Sequence, residues 1–133
     1  MEFTDTIAKT ELAERQQISR KNIIEHLQLL SSVEQQLEYQ HNVPYVNIAN
    51  ELVCMWFDNN YHPEDKIFRS AFLEAELQAM SNFSREFDNV LAHFWGEQLP
   101  SPEIADLVKT PEWAELTQAA QKVLQVLENH TDK

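Results

Sequence analysis

The sequence predicts an all-α fold, a single-domain bundle of five or six helices without a β-sheet. The first observation is that the chain of 133 residues contains one glycine. Tight hairpins, phosphate-binding loops and dinucleotide-binding turns need glycine where the backbone turns sharply or approaches a ligand. The second observation is that apolar residues recur at steps of three and four along most segments, which is the period of a helix. Together these observations exclude Rossmann enzymes, P-loop enzymes and most β-rich folds.

Length and composition indicate one globular domain. The chain is 43% hydrophobic and 10% aromatic, which is typical of a folded protein rather than a disordered one. No apolar run approaches the roughly 20 residues that a membrane-spanning helix needs. The chain has no internal repeat and no long linker, so residues 1–133 are expected to form one domain with residues 130–133 frayed.

The first helix is expected over residues 4–30, with a break near Ser19 left open as an alternative. Apolar residues are sparse up to Gln17 and dense only afterwards, so about 15 N-terminal residues are expected to be weakly anchored. Four basic residues of this segment are interpreted as a solvated face: Lys9, Arg15, Arg20 and Lys21.

Two serines predict the start of a second, shorter helix. Ser31 and Ser32 are followed three residues later by Glu34 and Gln35, which is the spacing of a capping box. The helix is expected over residues 33–40, with Val33 and Leu37 pointing inward.

The stretch from Val43 to Asp65 carries the only cysteine and two of the three tyrosines. Asn47 is the expected N-cap of a helix. Residues 48–57 are apolar nearly all round the helical cylinder, which predicts a buried helix. Cys54 lies within this helix, where burial would raise the pKa of its thiol and leave it inert. A polar loop is expected to follow from Asp58.

The most regular helical pattern runs from Phe68 to Trp95 and predicts one helix. Ser70 is the expected cap, and Gly96 is placed to end the helix in a left-handed conformation. The phenylalanines of its stripe predict an aromatic core that meets Trp56. The apolar stripe includes Phe72, Leu77, Met80, Phe83, Phe87, Val90, Leu91 and Phe94.

Two pairs, Ser101-Pro102 and Thr110-Pro111, have the order of an N-cap followed by a first helical residue. They predict a short helix over residues 102–108 and a last helix over residues 111–129. The stripe of the last helix is Trp113, Leu116, Ala120, Val123, Leu124 and Leu127.

The titratable residues predict neither catalysis nor a bound metal. Among the five histidines no pair is three or four residues apart, so no helix carries a metal-binding pair. The loop beginning at Asp58 fails the calcium-loop pattern because Pro63 stands where glycine is required. We therefore expect no cofactor, no metal and no enzymatic activity. The alternative left open is a small-ligand or metal-dependent enzyme that uses the loop from Asp58 to Asp65.

Charge is the feature that points to function. The formal net charge is -12, which repels nucleic acid and anionic membranes and attracts basic proteins. No lysine or arginine occurs from Asn22 to Asp65, a span in which three tyrosines are interspersed with seven acids. Aromatic anchors among charges are typical of protein interfaces. The residues predicted to bind a partner are Glu34, Glu38, Tyr39, Tyr45, Asp58, Tyr61, His62, Glu64 and Asp65.

In charge, size and helical content the chain is similar to the small acidic helical immunity proteins, which mask basic toxins such as nucleases. The similarity implies a partner that is basic and an action by occlusion, and it carries no residue across. We therefore expect a non-enzymatic protein-binding module, with a structural role as a homo-oligomer as another alternative. A single cysteine and an acidic, polar N-terminus favour a reducing, cytoplasmic location. The partner and the oligomeric state are not predicted.

Overall fold

The computed structural model describes residues 2–96 and 100–131. Over these residues the protein is built from α-helices without a strand, which confirms the predicted all-α single-domain bundle. The described residues form seven α-helices rather than five or six, because the segment predicted as one helix from Phe68 to Trp95 is divided into two, and five of the seven have seven residues or more. Their bounds are α1 Glu2–Leu30, α2 Val33–Asn42, α3 Ile48–Cys54, α4 Lys66–Ser70, α5 Glu74–Phe94, α6 Ile104–Leu107 and α7 Pro111–Thr131. A π-helix, Met55–Asn60, continues α3 without a break.

The core lies where the apolar stripes of the long helices meet. Helix α7 packs between α5 and α1, and the π-helix that continues α3 packs on α1. Trp56 contacts Phe83 edge-on, with ring centroids 4.9 Å apart, which confirms the predicted aromatic core. Phe87 joins this cluster to Trp113 of α7. Burial of these side chains is the main stabilising contribution, about 1.5–3 kcal/mol for each large apolar group.

Helix α1 is continuous and has no break at Ser19. Residues 8–15 are all exposed, and burial begins with Ile23. The side chain of Gln16 donates a hydrogen bond to Ser70 Oγ, 2.9 Å away, where α1 reaches α4. The preceding part of the helix extends about 20 Å at 1.5 Å per residue.

The segment from Phe68 to Trp95 is not one helix, so that prediction is wrong. Helix α4 ends at Ser70, and α5 begins at Glu74 after a turn whose last residue, Leu73, is the N-cap. The Ser70 hydroxyl donates to Ile67 O within α4 instead of capping α5. The steps of three and four continue through the turn, so apolar spacing cannot reveal it.

Gly96 does not have a positive φ angle, so the predicted left-handed helix end is also wrong. Helix α5 ends at Phe94, and the backbone N–H of its C-cap, Trp95, donates to Leu91 O at 2.8 Å. This hydrogen bond completes the last turn without the left-handed residue that a glycine would supply.

The buried residue of helix α2 is polar. Ser32 caps it as predicted, but Leu37 is 39% exposed and the buried residue is Gln36. The Gln36 amide donates to the carbonyls of Leu29 and Leu30, both at 3.0 Å, and its Oε1 accepts a hydrogen bond from Trp113 Nε1 at 2.9 Å. Because α1 ends there, Gln36 satisfies carbonyls that have no partner within the helix.

The start of α3 agrees with the prediction, since the Asn47 side chain accepts a hydrogen bond from Asn50 N at 3.1 Å. Only one face is buried, however, and Cys54 is exposed, so its predicted burial is wrong. Leu52 and Trp56 lie on the buried side, where the π-helix packs on α1 and Trp56 contacts Phe83 of α5, whereas the Cys54 side chain is exposed.

The last two helices begin close to the predicted positions. Helix α6 is only Ile104–Leu107. In α7 the Thr110 hydroxyl accepts a hydrogen bond from Trp113 N, and five of the six stripe residues are buried, Leu124 being partly exposed. Helix α7 runs past the predicted end through His130 to Thr131, and residues 132–133 of the predicted frayed end lie outside the described residues. None of the described helices is long and apolar enough to cross a membrane.

Candidate partner-binding surface

The outer face of α2 carries two exposed glutamates, Glu34 and Glu38. Glu34, Leu37, Glu38 and His41 follow the spacing i, i+3, i+4, i+7 and are all exposed. They form one stripe because Gln36, the buried residue, fixes the opposite face of the helix against Trp113. Neither Glu34 nor Glu38 has an ion-pair partner within the part of the chain that the structure describes.

Tyr45 lies on the turn that follows α2, and hydrogen bonds from Gln40 fix the conformation of this turn. The Tyr45 side chain is 85% exposed. Gln40 clamps the turn: its amide nitrogen donates to Val43 O at 3.2 Å and to Val46 O at 2.6 Å, and its Oε1 accepts from Ile48 N at 3.1 Å. An exposed tyrosine on a rigid turn loses little conformational entropy when it binds. We call Glu34, Leu37, Glu38, His41 and Tyr45 the α2–Tyr45 surface.

Helix α6 adds negative charge beside this surface. It packs against α2 and α3, and the Asn47 amide donates to Pro102 O at 3.1 Å. Glu103 and Asp106 are both exposed on this side of the bundle. Helix α6 therefore adds two acidic residues to those of α2. A basic residue, Lys109, follows α6 two residues after its end.

The other two tyrosines predicted to bind a partner, Tyr61 and Tyr39, are partly buried. Tyr61 stacks on Trp56 with ring centroids 4.9 Å apart, and Tyr39 packs partly buried against the core. Burial raises the pKa of the Tyr61 phenol, against a hydrogen bond with Ser81 and the charge of Arg69, which lower it. Both tyrosines thus contribute to packing.

In the loop, exposed polar groups bond to neighbouring backbone. Asp65 accepts a hydrogen bond from Phe68 N at 3.0 Å and so caps α4, while His62 Nε2 lies 2.9 Å from Asn59 O. Arg69 donates to Pro63 O at 3.1 Å, which brings a cation beside Glu64. Asp58 and Glu64 are exposed.

The predicted surface therefore divides into two parts. Glu34 and Glu38 lie on α2 and Tyr45 lies on the turn before α3, whereas Asp58 lies within the π-helix and His62, Glu64 and Asp65 follow its end. The polar loop predicted from Asp58 therefore begins only after Asn60, because the helical backbone continues to that residue. From the start of α3 to the end of the π-helix the distance is about 20 Å at 1.5 Å per residue. A role of either part in binding a partner stays a prediction.

Cys54 lies on α3 beside acidic neighbours. Desolvation, the negative charges of Asp58 and Glu51 and a hydrogen bond with Asp58 raise the pKa of its thiol. Within residues 2–96 and 100–131, no three side chains of His, Cys, Asp or Glu are grouped to hold a metal ion. The alternative of a ligand- or metal-dependent enzyme using the Asp58 to Asp65 loop stays a prediction.

Substituting Asp58 should make Cys54 more reactive. Asp58→Asn removes a charge and a hydrogen bond that favour the thiol form, so the rate of alkylation by iodoacetamide near neutral pH should rise roughly threefold. Because Cys54 is the only cysteine, mass spectrometry of the whole protein reports its rate directly. Asp88→Asn, at an exposed position of α5, is the control and should leave the rate unchanged. An equal rate in both variants would contradict the proposed cause.

One feature of the surface was missed by sequence reasoning. A groove of about 700 Å³ runs between the outer faces of α5 and α7. Its α5 side is formed by polar residues at the spacing i, i+4, i+7, i+11, namely Asn82, Glu86, Asn89 and His93. This stripe is readable in the sequence, but its pairing with α7 requires the tertiary structure.

Comparison with known proteins adds no assignment to this geometry: no protein-family model, no curated protein and no solved structure matches the chain.

Proposed function

We propose that this protein is a non-enzymatic module that binds a basic protein and inhibits it by occlusion, as immunity and antitoxin proteins do. The observation that carries the proposal is the α2–Tyr45 surface, which combines an exposed tyrosine on a turn held by Gln40 with two exposed glutamates of α2 that have no ion-pair partner among the described residues. Aromatic residues are the commonest energetic anchors of protein interfaces, and uncompensated charge accelerates the encounter with an oppositely charged partner.

The proposed mechanism is electrostatic capture followed by anchoring. The net charge of -12 draws a basic protein toward the bundle. Glu34 and Glu38 then pair with lysines or arginines that otherwise hold nucleic acid, while Tyr45 and Leu37 exclude water from the contact. The single cysteine supports a reducing, cytoplasmic setting for this action.

Charge reversal on α2 should weaken capture of the partner. The immobilised protein is incubated with native lysate at low and then high salt, and one basic protein released by salt is expected. With that protein purified, Glu34→Lys/Glu38→Lys should slow association roughly tenfold and reduce its dependence on salt. Tyr45→Ala should instead accelerate dissociation by about tenfold or more.

The control changes the net charge equally at distant exposed positions, Glu14→Lys/Glu128→Lys. If this control slows association as much as the α2 variant, the attraction is general and the α2–Tyr45 surface is not the site. A third variant, Asp58→Lys/Glu64→Lys, reverses charge in the loop. A loss confined to this variant would assign the interface to the loop and contradict the α2 site.

A further inference from the structure

The groove between α5 and α7 has an apolar floor and small residues that leave it open. Phe83 and Val90 of α5 and Leu116 and Val123 of α7 form the floor and belong to the core. Ala79 and Ala119 lie at its sides. Because these alanines have short side chains, another backbone can approach α5 and α7 closely at this position.

The rims of the groove are polar and follow the two helices. On α5 the rim extends from Asn82 to His93, which is about 16 Å or three helical turns at 1.5 Å per residue. On α7 it includes Glu112, Glu115 and Lys122. His93 Nε2 lies 3.7 Å from Glu112 Oε1, and this contact joins the two rims at one end.

The geometry is that of a site for a helix rather than for a small molecule. Small-molecule sites hold their ligand with a few convergent polar groups that are buried with it. None of the polar side chains that line this groove is buried. Above this buried floor, the partly exposed Ala79, Ala119 and Val126 present apolar surface between polar rims that run along three helical turns. This arrangement matches the recognition mode in which an amphipathic helix lays its apolar face into a groove.

The charge of the rims determines which helix would fit. Three glutamates, Glu86, Glu112 and Glu115, face the groove, against one lysine, Lys122. An incoming helix with lysine or arginine beside its apolar face would find opposite charge on both rims. An acidic helix would be repelled there.

We propose that the α5–α7 groove, lined by Phe83, Val90, Leu116 and Val123 and rimmed by Glu86, Glu112 and Glu115, docks a basic amphipathic helix of a partner protein. This docking site is separate from the α2–Tyr45 surface and can exist without it. Among the described residues, the exposed part of α1 does not offer such a helix from a second copy of this chain. The exposed part of α1 carries Leu12 and Ile18 on different sides of the helix, with acids and bases in similar number.

The test uses a fluorescent peptide of about 14 residues, built from leucine and lysine so that the leucines form one helical face. A peptide of the same composition in scrambled order and one with glutamate for lysine are compared with it. Fluorescence anisotropy at about 50 mM salt should show binding of the basic amphipathic peptide with micromolar affinity. The scrambled and acidic peptides should bind at least roughly tenfold more weakly.

Three variants locate the peptide-binding site. Ala119→Arg fills the groove and adds a positive charge, whereas Ala114→Arg places the same side chain at an exposed position of α7 outside it. Ala119→Arg should weaken peptide binding at least roughly tenfold, and Ala114→Arg should leave it unchanged. Glu86→Lys/Glu115→Lys, which changes only exposed rim positions, should do the same as Ala119→Arg with the fold intact.

The proposal is overturned if the scrambled peptide binds as well as the amphipathic one, or if the two arginine variants lose the same affinity. It is also overturned if sedimentation shows a dimer that Glu86→Lys/Glu115→Lys dissociates, because a second copy would then occupy the groove. Glu34→Lys/Glu38→Lys should retain the peptide. Loss of partner capture in the α2 variant tests the α2–Tyr45 surface, and loss of peptide binding in the groove variants tests the groove. The two proposals can therefore fail independently.

Discussion

Replacing Arg20 by methionine is expected to lower the free energy of unfolding by about 3 kcal/mol. The Glu76 side chain is 0% exposed, and Arg20, 22% exposed, binds both of its oxygens at 2.8 and 3.0 Å. Removing one partner of a buried ion pair leaves the other charge without compensation, which typically costs several kcal/mol. Partial access of water to Arg20 places the expected loss at the lower end of that range.

The pH dependence of this loss follows from the pKa of Glu76. Burial raises that pKa, but hydrogen bonds from Arg20 and Leu73 N, with the charges of Arg20 and His130, outweigh burial and hold it below the ordinary value of 4.5. A carboxyl whose pKa is lowered in the folded protein contributes stability above pH 4.5, and this contribution is lost as the pH falls below it. The difference between wild type and Arg20→Met should therefore be largest near pH 7 and should shrink below pH 4.5.

Urea unfolding followed by circular dichroism measures the loss. Arg20→Met/Glu76→Gln should recover part of it, because a neutral amide can still accept the hydrogen bond that Leu73 N donates to Glu76 Oε1. Lys21→Met is the matched control, since Lys21 is exposed and its ion pair is with the exposed Glu25, at 3.9 Å. A pair of that kind contributes about 1 kcal/mol or less. Equal losses in Arg20→Met and Lys21→Met would contradict the assigned role of Arg20.

The sequence shows on which face of α1 Arg20 lies, but not which residue it binds. The residue precedes Ile23, Leu27 and Leu30 by three, seven and ten positions, so it lies on the buried stripe of α1. Its interpretation as part of a solvated face was wrong because its partner, Glu76, is 56 positions away. Charge periodicity within one helix does not show which charge another helix presents.

Elements with a strong local signal could be predicted, and elements that depend on a distant partner could not. The caps Ser32 and Asn47 and the stripe of α7 follow from neighbouring residues alone. The inward position of Gln36 depends on Trp113, 77 residues later, and a pattern that counts only apolar residues assigns Leu37 to the core instead.

The same limit applies to the candidate site. Tyr45 and Tyr61 are indistinguishable in the sequence, since both are tyrosines among acids. The structure separates them because Trp56 stacks on Tyr61 while the Gln40 clamp holds Tyr45 away from the core. The absence of lysine and arginine from Asn22 to Asp65 could be predicted from the sequence. The division of the predicted partner-binding residues into two separate surfaces could not.

The second large effect concerns His26, a core residue of α1 that contacts the π-helix. Its side chain is 2% exposed, its ring lies 5.8 Å from that of Trp56, and its Nδ1 is 3.4 Å from the Asn60 amide nitrogen. Burial lowers its pKa from 6.5 to about 4, although a hydrogen bond with the Leu52 backbone partly offsets this. His26 is therefore neutral in the folded protein at pH 7.

Acid should destabilise the protein through this residue. In the unfolded chain His26 binds a proton below pH 6.5, whereas in the folded protein it does so only near pH 4. The unfolded state thus binds more protons between these two values, and the free energy of unfolding falls as the pH decreases. A shift of this size corresponds to about 3 kcal/mol between pH 7 and pH 4.

His26→Leu removes the titrating group, so its stability relative to wild type should improve by about 3 kcal/mol on going from pH 7 to pH 4. His41→Leu, at an exposed position of α2, is the control and should follow the wild-type curve. Urea unfolding at half-unit intervals of pH separates this effect from that of Glu76, because the His26 window opens at pH 6.5 and the Glu76 window only below 4.5. If His26→Leu loses stability in parallel with wild type from pH 6.5 downward, the acid sensitivity does not arise from the buried imidazole.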